Sequence, residues 1–365
     1  MQTFEELMAL AEQQDPPEGA IPFLEQAVRL ADTQQNRSAA FRARKELVQA
    51  ASFGGFPDKA LIHFAWLLGT FDRHRAEFQG QSYMMMWMYK WILSSAAENP
   101  AFPLARLNKL EADFERRTRE YGSGAHYLAY HRLMLAKQIG DQAQAQAAFL
   151  AWRSLPRDGL SDCEACEQNK VMGYYAWRGN HQAAAQLGQD ILTRGISCHN
   201  VPTVTHANLL RPLTALGRHE EARHAHTEGL RMARLDRHFI DTIADHLRYL
   251  TAQRQHRQAL GIWSEHLGLA LGVRNLVDRF EFLAASAALW AGLPETEAVT
   301  LTLPRTFALY RTDQTYLPGP LAEHFRQEAA ALARRFDERN GTGQFTWRLR
   351  QETEVELTGQ QRSGE

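Results

Sequence analysis

The amino-acid sequence predicts an all-α protein, a superhelical solenoid of about eight stacked helix–turn–helix repeats. Two observations predict it: a short motif recurs at a near-constant spacing, and apolar residues follow helical periodicity around each copy. Because one helical hairpin cannot bury its own apolar face, successive hairpins are expected to stack and share one core.

The recurring motif is a turn residue followed five positions later by an alanine. Glycine suits a turn that needs the left-handed conformation, and alanine suits the point where two antiparallel helices approach most closely. The clear copies are Gly55 to Ala60, Gly140 to Ala145, Gly179 to Ala184 and Gly217 to Ala222. Weaker copies place Ala20, Ala105 and Ala259 after Asp15, Pro100 and Arg254, and Ala298 six positions after Gly292.

Successive alanines of the motif are 37 to 45 residues apart. Apolar residues flank each copy at helical spacing, as Leu209, Leu210, Leu213 and Leu216 do before Gly217. Each repeat is therefore predicted to be a helix, a tight turn and a second helix, and the array is expected to cover residues 1–310.

At "LGRHEEARHAHTEGL" the sequence resembles the tetratricopeptide repeat family, whose turn residue and second-helix alanine match Gly217 and Ala222. The resemblance implies a right-handed superhelix with a concave groove that binds a protein or peptide. The repeats here are longer than the roughly 34 residues usual for that family. "SDCEACEQ", "CHNVP" and "LLRPLTALGRHEEAR" also resemble an uncharacterised bacterial branch of such proteins, which implies a fold and no activity.

The last part of the chain departs from the repeat pattern. Residues 311–338 are predicted to form a capping helix, because Leu321 to Phe336 is amphipathic and a solenoid needs a cap at its open end. Residues 339–365 are predicted to be either extended or disordered. Phe345, Trp347 and Leu349 alternate with polar residues after the Gly341-Thr342-Gly343 breaker, which favours an extended segment.

Composition excludes several classes of protein. The formal net charge of −1 supplies no field to attract nucleic acid, and no apolar run approaches the roughly 20 residues of a membrane helix. The first residues are acidic and amphipathic, unlike a secretory signal. With only three cysteines, a disulfide framework is not expected, and these features together predict a cytoplasmic protein.

All three cysteines fall at corresponding ends of two consecutive predicted repeats. Cys163 and Cys166 form a C-x-x-C pair, and Cys198 precedes the first helix of the following repeat. Three thiolates and a nearby histidine, for which His199 is the first candidate and His206 and His238 are substitutes, suit one structural zinc ion. Inert, packed thiols and a redox role remain the alternatives.

The sequence carries no recognisable catalytic motif. H-E-x-x-H, G-x-S-x-G and a Gly-rich phosphate loop are all missing from it. The many histidines between His219 and His266 are predicted to face solvent or the edge of the core. The protein is therefore expected not to be an enzyme and to have no catalytic residues.

The family's registration implies a set of groove-facing residues on the first helices. Arg211 and Arg248 share one repeat position and suit a peptide carboxylate or another anion, although ion pairs within the chain are an equal alternative. Methionines and aromatics around Trp87 suit adaptable binding, but core filling is the commoner cause. The implied partner-binding residues are Trp87, Lys90, Tyr127, Tyr130, Asn169, Arg211 and Arg248.

The sequence thus favours a non-catalytic scaffold that binds a protein or peptide in its concave groove. The alternative is a regulatory solenoid that senses a ligand or peptide and carries an optional structural zinc site. Neither nucleic acid nor a membrane is an expected partner.

Overall fold

The computed structural model describes the backbone of residues 2–361 and the side chains of residues 2–353. The described chain is built almost wholly of α-helices, as predicted. It divides into two compact units, Met1–Ser161 and Asp162–Glu365.

Unit 1 (Met1–Ser161) contains nine α-helices among its described residues, with short 3₁₀ turns at Pro17–Ala20 and Gln79–Gln81. The helices are α1 Phe4–Glu12, α2 Ile21–Thr33, α3 Arg37–Phe53, α4 Pro57–Arg73, α5 Arg75–Phe78, α6 Ser82–Ala97, α7 Leu104–Tyr121, α8 Ala125–Ile139 and α9 Gln142–Ser154.

Unit 2 (Asp162–Glu365) contains nine more α-helices among its described residues, a 3₁₀ turn at Arg237–Phe239 and one two-stranded antiparallel ribbon. The helices are α10 Glu164–Trp177, α11 His181–Thr193, α12 Thr203–Ala215, α13 His219–Ala233, α14 Ile240–Ala252, α15 His256–Gly272, α16 Leu276–Ala291, α17 Pro318–Asn340 and α18 Gln344–Gln361. The strands are β1 Val299–Thr300 and β2 Thr315–Tyr316, with Val299 opposite Tyr316.

Neighbouring helices pack in the order of a solenoid. In unit 2, α10 packs on α11, α12 on α13 and α14 on α15, and the first helix of each pair also contacts the first helix of the next. This pattern makes each hairpin bury the apolar face of its neighbour, as a helical repeat protein requires. The all-α solenoid prediction is confirmed.

The turn-and-alanine motif forms as the sequence predicts in most copies. Gly55, Gly140, Gly179 and Gly217 adopt left-handed φ angles of 77°, 85°, 74° and 70°, and even Arg254 does so at 54°. The alanines five positions later have no exposed surface where they face the preceding helix; they are Ala60, Ala145, Ala184, Ala222 and Ala259.

Two weak copies of the motif are wrong. Ala105 lies on the exposed side of α7, and Ala298 lies in the loop between α16 and β1. Neither follows a left-handed turn residue, so the spacing alone was insufficient to place them.

The C-terminal region also differs from the prediction. The capping helix exists as α17, which begins at Pro318 rather than at residue 311 and ends at Asn340. The following residues form α18 rather than an extended segment, because Phe345 and Leu349 are buried one helical turn apart while Trp347 stays 55% exposed. Asp337 accepts hydrogen bonds from the N–H groups of Phe345 and Thr346 (2.8 and 3.0 Å) and so starts this helix. Residues 362–365 of the predicted tail lie outside the described residues.

None of the helices within the described residues is both long and apolar enough to span a bilayer.

Candidate functional site

The C-x-x-C pair lies at the N-terminus of α10. Cys163 occupies the N-cap position, and its Sγ accepts a hydrogen bond from the N–H of Cys166 at 3.4 Å. A sulfur at this position satisfies one of the free amide groups at the start of the helix.

Cys198 lies in the loop between α11 and α12. Its N–H donates to the carbonyl of Val201 at 2.9 Å, and its Sγ accepts hydrogen bonds from the N–H groups of Val201 and Asn200. Beneath this loop lies a small apolar cluster of Ala165, Ile191 and Val201, all of which are buried. The local packing therefore fixes the loop against the start of α10.

The two segments bring the three thiols together. The Sγ atoms of Cys166 and Cys198 are 3.3 Å apart, and all three sulfurs lie within 4.8 Å of one another. Zinc–sulfur bonds of about 2.3 Å in a tetrahedron place sulfurs about 3.8 Å apart, so this spacing suits a shared metal ion. The predicted convergence of the three cysteines is present.

The pKa values of the two partly buried thiols move in opposite directions. Burial raises the pKa of Cys166 above its usual range, and its hydrogen bond to Cys198 acts in the same direction. Burial also acts to raise the pKa of Cys198, but hydrogen bonds from the Val201 N–H and the Cys166 thiol outweigh it and lower that pKa. Cys198 is thus the first of these two thiols to ionise, and its sulfur accepts the hydrogen bond of the Cys166 thiol.

His199 does not belong to the three-thiol group. Among the described residues, that group contains no histidine, carboxylate or further cysteine. The exposed His199 ring instead stacks on Phe239 at 6.3 Å between centroids and meets the edge of His238 at 6.4 Å. The substitute His206 is buried near the ring of His246 and Gly229, away from the thiols.

Inert thiols packed in the core would be buried, and the three cysteines are not. Cys163 is exposed, while Cys166 and Cys198 are only partly buried. A redox role of the thioredoxin type needs a βαβ framework, whereas here the thiols lie between helices.

Most of the predicted partner-binding residues are engaged within the chain, which corrects that prediction. The buried Lys90 donates to the carbonyl of Leu160 at 2.6 Å and lies over the rings of Trp87 and Tyr127, 3.8 and 4.7 Å from their centroids. Tyr127 is buried and donates to the carbonyl of Lys90 at 2.9 Å. Tyr130 is only partly exposed and packs on Trp152.

Of the three polar residues of unit 2 that were predicted to bind a partner, two have partners within the chain and one is exposed. Asn169 is buried and accepts a hydrogen bond from Thr205 at 3.0 Å. Arg248 contacts Glu281 and Glu352, so the alternative of ion pairs within the chain is correct for this residue. Arg211 is exposed on α12, as a binding residue would need to be.

The sequence predicted only Trp87 of one partly exposed aromatic surface. Tyr83, Trp87 and Trp91 lie at i, i+4 and i+8 on α6, and Phe53 of α3 packs against Trp91 at 5.0 Å. Tyr83 is 46% and Phe53 50% exposed, and Trp87 and Trp91 are partly buried against the core. The intervening Met85, Met86 and Met88 are buried. These methionines fill the core, which agrees with the core-filling alternative given above. The i, i+4, i+8 spacing of Tyr83, Trp87 and Trp91 is visible in the sequence and indicates one face of α6.

A buried set of histidines was also missed. His206, His226, His246 and His266 recur every 20 residues and are all buried in unit 2. The sequence predicted solvent-facing or edge positions for the last three. Nδ1 of His226 is 3.0 Å from Nδ1 of His246. Burial lowers the pKa of His226 to about 4, and burial together with the neighbouring imidazoles lowers that of His246 to about 3, so both rings are neutral near pH 7.

Comparisons with known proteins add little. No protein-family model matches the chain, and no curated protein is similar to it. A solved structure titled "Circular tandem repeat protein with novel repeat topology and enhanced subunit contact surfaces" is similar over 98% of this chain and 89% of its own, at 13% identity and a TM-score of 0.20. So low a score supports no argument about fold or function.

Proposed function

We propose that this protein is a non-catalytic scaffold of the tetratricopeptide-like kind that binds a protein or peptide in the cytoplasm. The observation that carries the proposal is the aromatic stripe, defined as Phe53, Tyr83, Trp87 and Trp91 of unit 1. Large aromatics are normally buried in a soluble protein, and a set of them on one exposed face is typical of a recognition surface.

The stripe lies on a rigid base. Tyr83 packs on Trp87 at 5.7 Å, and the buried ammonium of Lys90 lies under Trp87. Rigid aromatics lose little conformational entropy on binding, which favours their use as contact residues.

A selection experiment tests this proposal. A displayed peptide library is panned on the wild-type protein, and the recovered peptides are measured against Tyr83→Ser with Phe53→Ser. We expect at least tenfold weaker binding to this double variant. The matched control is Ile62→Ser, which changes a 66% exposed side chain on α4 of the same unit.

Equal binding to the stripe variant and to the control would contradict the proposal. So would the recovery of no peptide that binds the folded wild-type protein above background.

We further propose that the three thiols hold one structural zinc ion. Soft thiolates suit zinc, and a site that joins the start of α10 to the loop before α12 would stabilise this part of unit 2. The metal's role would be to fix these segments, since the surrounding residues include no arrangement that suggests catalysis.

The second candidate function, a regulatory solenoid that senses a peptide, has one observation in its favour. Glu352 of α18 supplies a carboxylate to Arg248, the residue predicted to hold a partner's carboxylate. Deleting residues 342–365 and adding the α18 peptide in trans tests it by calorimetry. Saturable binding that Glu352→Gln in the peptide weakens would support this function, and no binding would remove it.

A further inference from the structure

Unit 1 contains a cavity of about 460 Å³ that the proposals above do not use. It lies where α4, α5, α6 and α7 meet, and no residue of the aromatic stripe lines it. The buried side of the cavity is formed mainly by Phe71, Met85, Met86 and Tyr89. The exposed residues of its lining are Arg75, Ala76, Gln79, Glu120 and Tyr121. Small-molecule sites typically combine a cavity of this size with a mostly apolar lining and a few polar groups.

The polar groups on the buried side already have partners within the chain. The hydroxyl of Tyr89 donates to Asp113 at 2.9 Å. The guanidinium of Arg117 donates to both carboxylate oxygens of Asp72, at 2.9 and 2.7 Å, and through Nε to Asp113 at 2.8 Å. What this side offers a ligand is therefore apolar contact, and its two methionines can adapt to the shape of a flexible chain.

Arg75 is the charged residue of the lining that has hydrogen-bond donors to spare. Its side chain is 60% exposed, and among the described residues its one ion pair is a contact of 3.3 Å with Oε2 of Glu120. A guanidinium has five N–H donors, so this contact leaves most of them to solvent. Because α6 begins at Ser82 and α7 ends at Tyr121, both of which line the cavity, the dipoles of the two helices offset each other there. Arg75 therefore determines the charge that a ligand should carry.

We propose that this cavity binds a small carboxylic acid with an aliphatic chain. The carboxylate pairs with Arg75, which can donate two parallel N–H groups to it, and the chain lies against the buried side. Glu120 retains its ion pair with Arg116 when Arg75 turns to the ligand. This small-molecule site is separate from the aromatic stripe and goes beyond the peptide-binding function proposed above.

Calorimetric titration of the full chain with octanoate, 1-octanol and octylamine tests the proposal, because the three probes share one chain and differ in their head group. We expect octanoate to saturate a single site and the other two probes to bind at least about fivefold more weakly. Arg75→Gln should weaken octanoate binding about fivefold and leave the binding of 1-octanol unchanged. The matched control is Arg37→Gln, which removes another exposed arginine of unit 1, paired with Glu77 outside the cavity, and should change neither.

A second pair of variants locates the bound molecule. Ala76→Trp places a large ring at the exposed side of the cavity and should abolish octanoate binding, whereas Ala112→Trp, at an exposed position of α7 outside the cavity, should not. Octanoate that binds folded Ala76→Trp as tightly as the wild type, or whose binding is lost in Tyr83→Ser with Phe53→Ser, would place the site elsewhere and overturn the proposal. An absence of octanoate binding to the wild type would also overturn it. Equal binding of octylamine and octanoate would overturn the choice of a carboxylate.

Discussion

Arg248 and Glu352 form an ion pair at 3.0 Å although 104 positions separate them in the sequence. Arg248 lies on α14 and Glu352 on α18, and Glu281 of α16 contacts the same guanidinium at 2.7 Å. Arg348 of α18 pairs with Glu281 as well. One network of charges therefore joins the C-terminal helix to two helices of the repeat array.

We expect Glu352→Gln to lower the free energy of unfolding of unit 2 by about 1–3 kcal/mol, because Arg248 would lose a charged partner in a largely buried network. Amide hydrogen exchange should accelerate in α18 more than elsewhere. The control is Glu323→Gln, which breaks an exposed pair with Arg326 on α17 and should have a much smaller effect. Equal effects of the two substitutions would contradict a role of Arg248 in holding α18.

Gly229→Ala should destabilise the protein by about 1–3 kcal/mol, since overpacking of a buried site has this cost. A Cβ atom at this position of α13 would lie 2.7 Å from Cβ of His206 and 3.1 Å from the ring of His246. Gly261→Ala on α15 is the matched control, because nothing lies within 4 Å of its added Cβ. Alanine favours a helix, so the control should be stabilised by about 0.5–1 kcal/mol. Denaturant unfolding of both variants measures the difference, and a stabilised Gly229→Ala would show that the histidines do not pack as described.

The buried histidines predict a loss of stability in acid. His246 has a folded-state pKa of about 3, below the ordinary 6.5, so the unfolded chain binds its proton first as the pH falls. The stability contributed by the neutral ring is complete above pH 6.5 and is lost as the pH falls towards 3. Between pH 7 and pH 5 the loss is about 2 kcal/mol for this residue.

His246→Gln should therefore reduce the difference in unfolding free energy between pH 7 and pH 5 by about 2 kcal/mol, whatever its effect at pH 7. The groups that face this ring are His226, His206 and His266, and they remain in the variant. The exposed His219→Gln serves as the control, and His246→Gln should reduce the difference more than this control does. An identical pH profile in His246→Gln and the wild type would contradict the buried neutral state.

The helical repeats could be predicted from the sequence because each recurring feature of the motif has a local physical cause. A left-handed turn at Gly217 and a close helix contact at Ala222 each restrict the residue type at one position, so the motif survives in the sequence. Ala105 shows the limit of this argument, since an alanine at the right spacing is also a common exposed helical residue.

The convergence of the thiols was predictable for the same reason, because equivalent ends of stacked hairpins meet. The position of His199 was not predictable, because its ring stacks on Phe239, which comes from a later turn of the chain. The sequence also could not predict Glu352 as the partner of Arg248. Glu352 lies in α18, whose buried residues Phe345 and Leu349 follow helical spacing, and that spacing was interpreted as the alternation of an extended segment.

We propose that the three-thiol cluster of Cys163, Cys166 and Cys198 holds one zinc ion in a structural role. Elemental analysis of untagged protein purified without chelator measures this most directly. We expect about one zinc per chain, little in Cys163→Ser, and thermal unfolding of the variant about 5–10 °C lower, as follows from about 2.7 kcal/mol of binding at 100-fold excess over Kd. Metal-free wild-type protein with three titratable thiols, and a Cys163→Ser variant of unchanged stability, would contradict the claim.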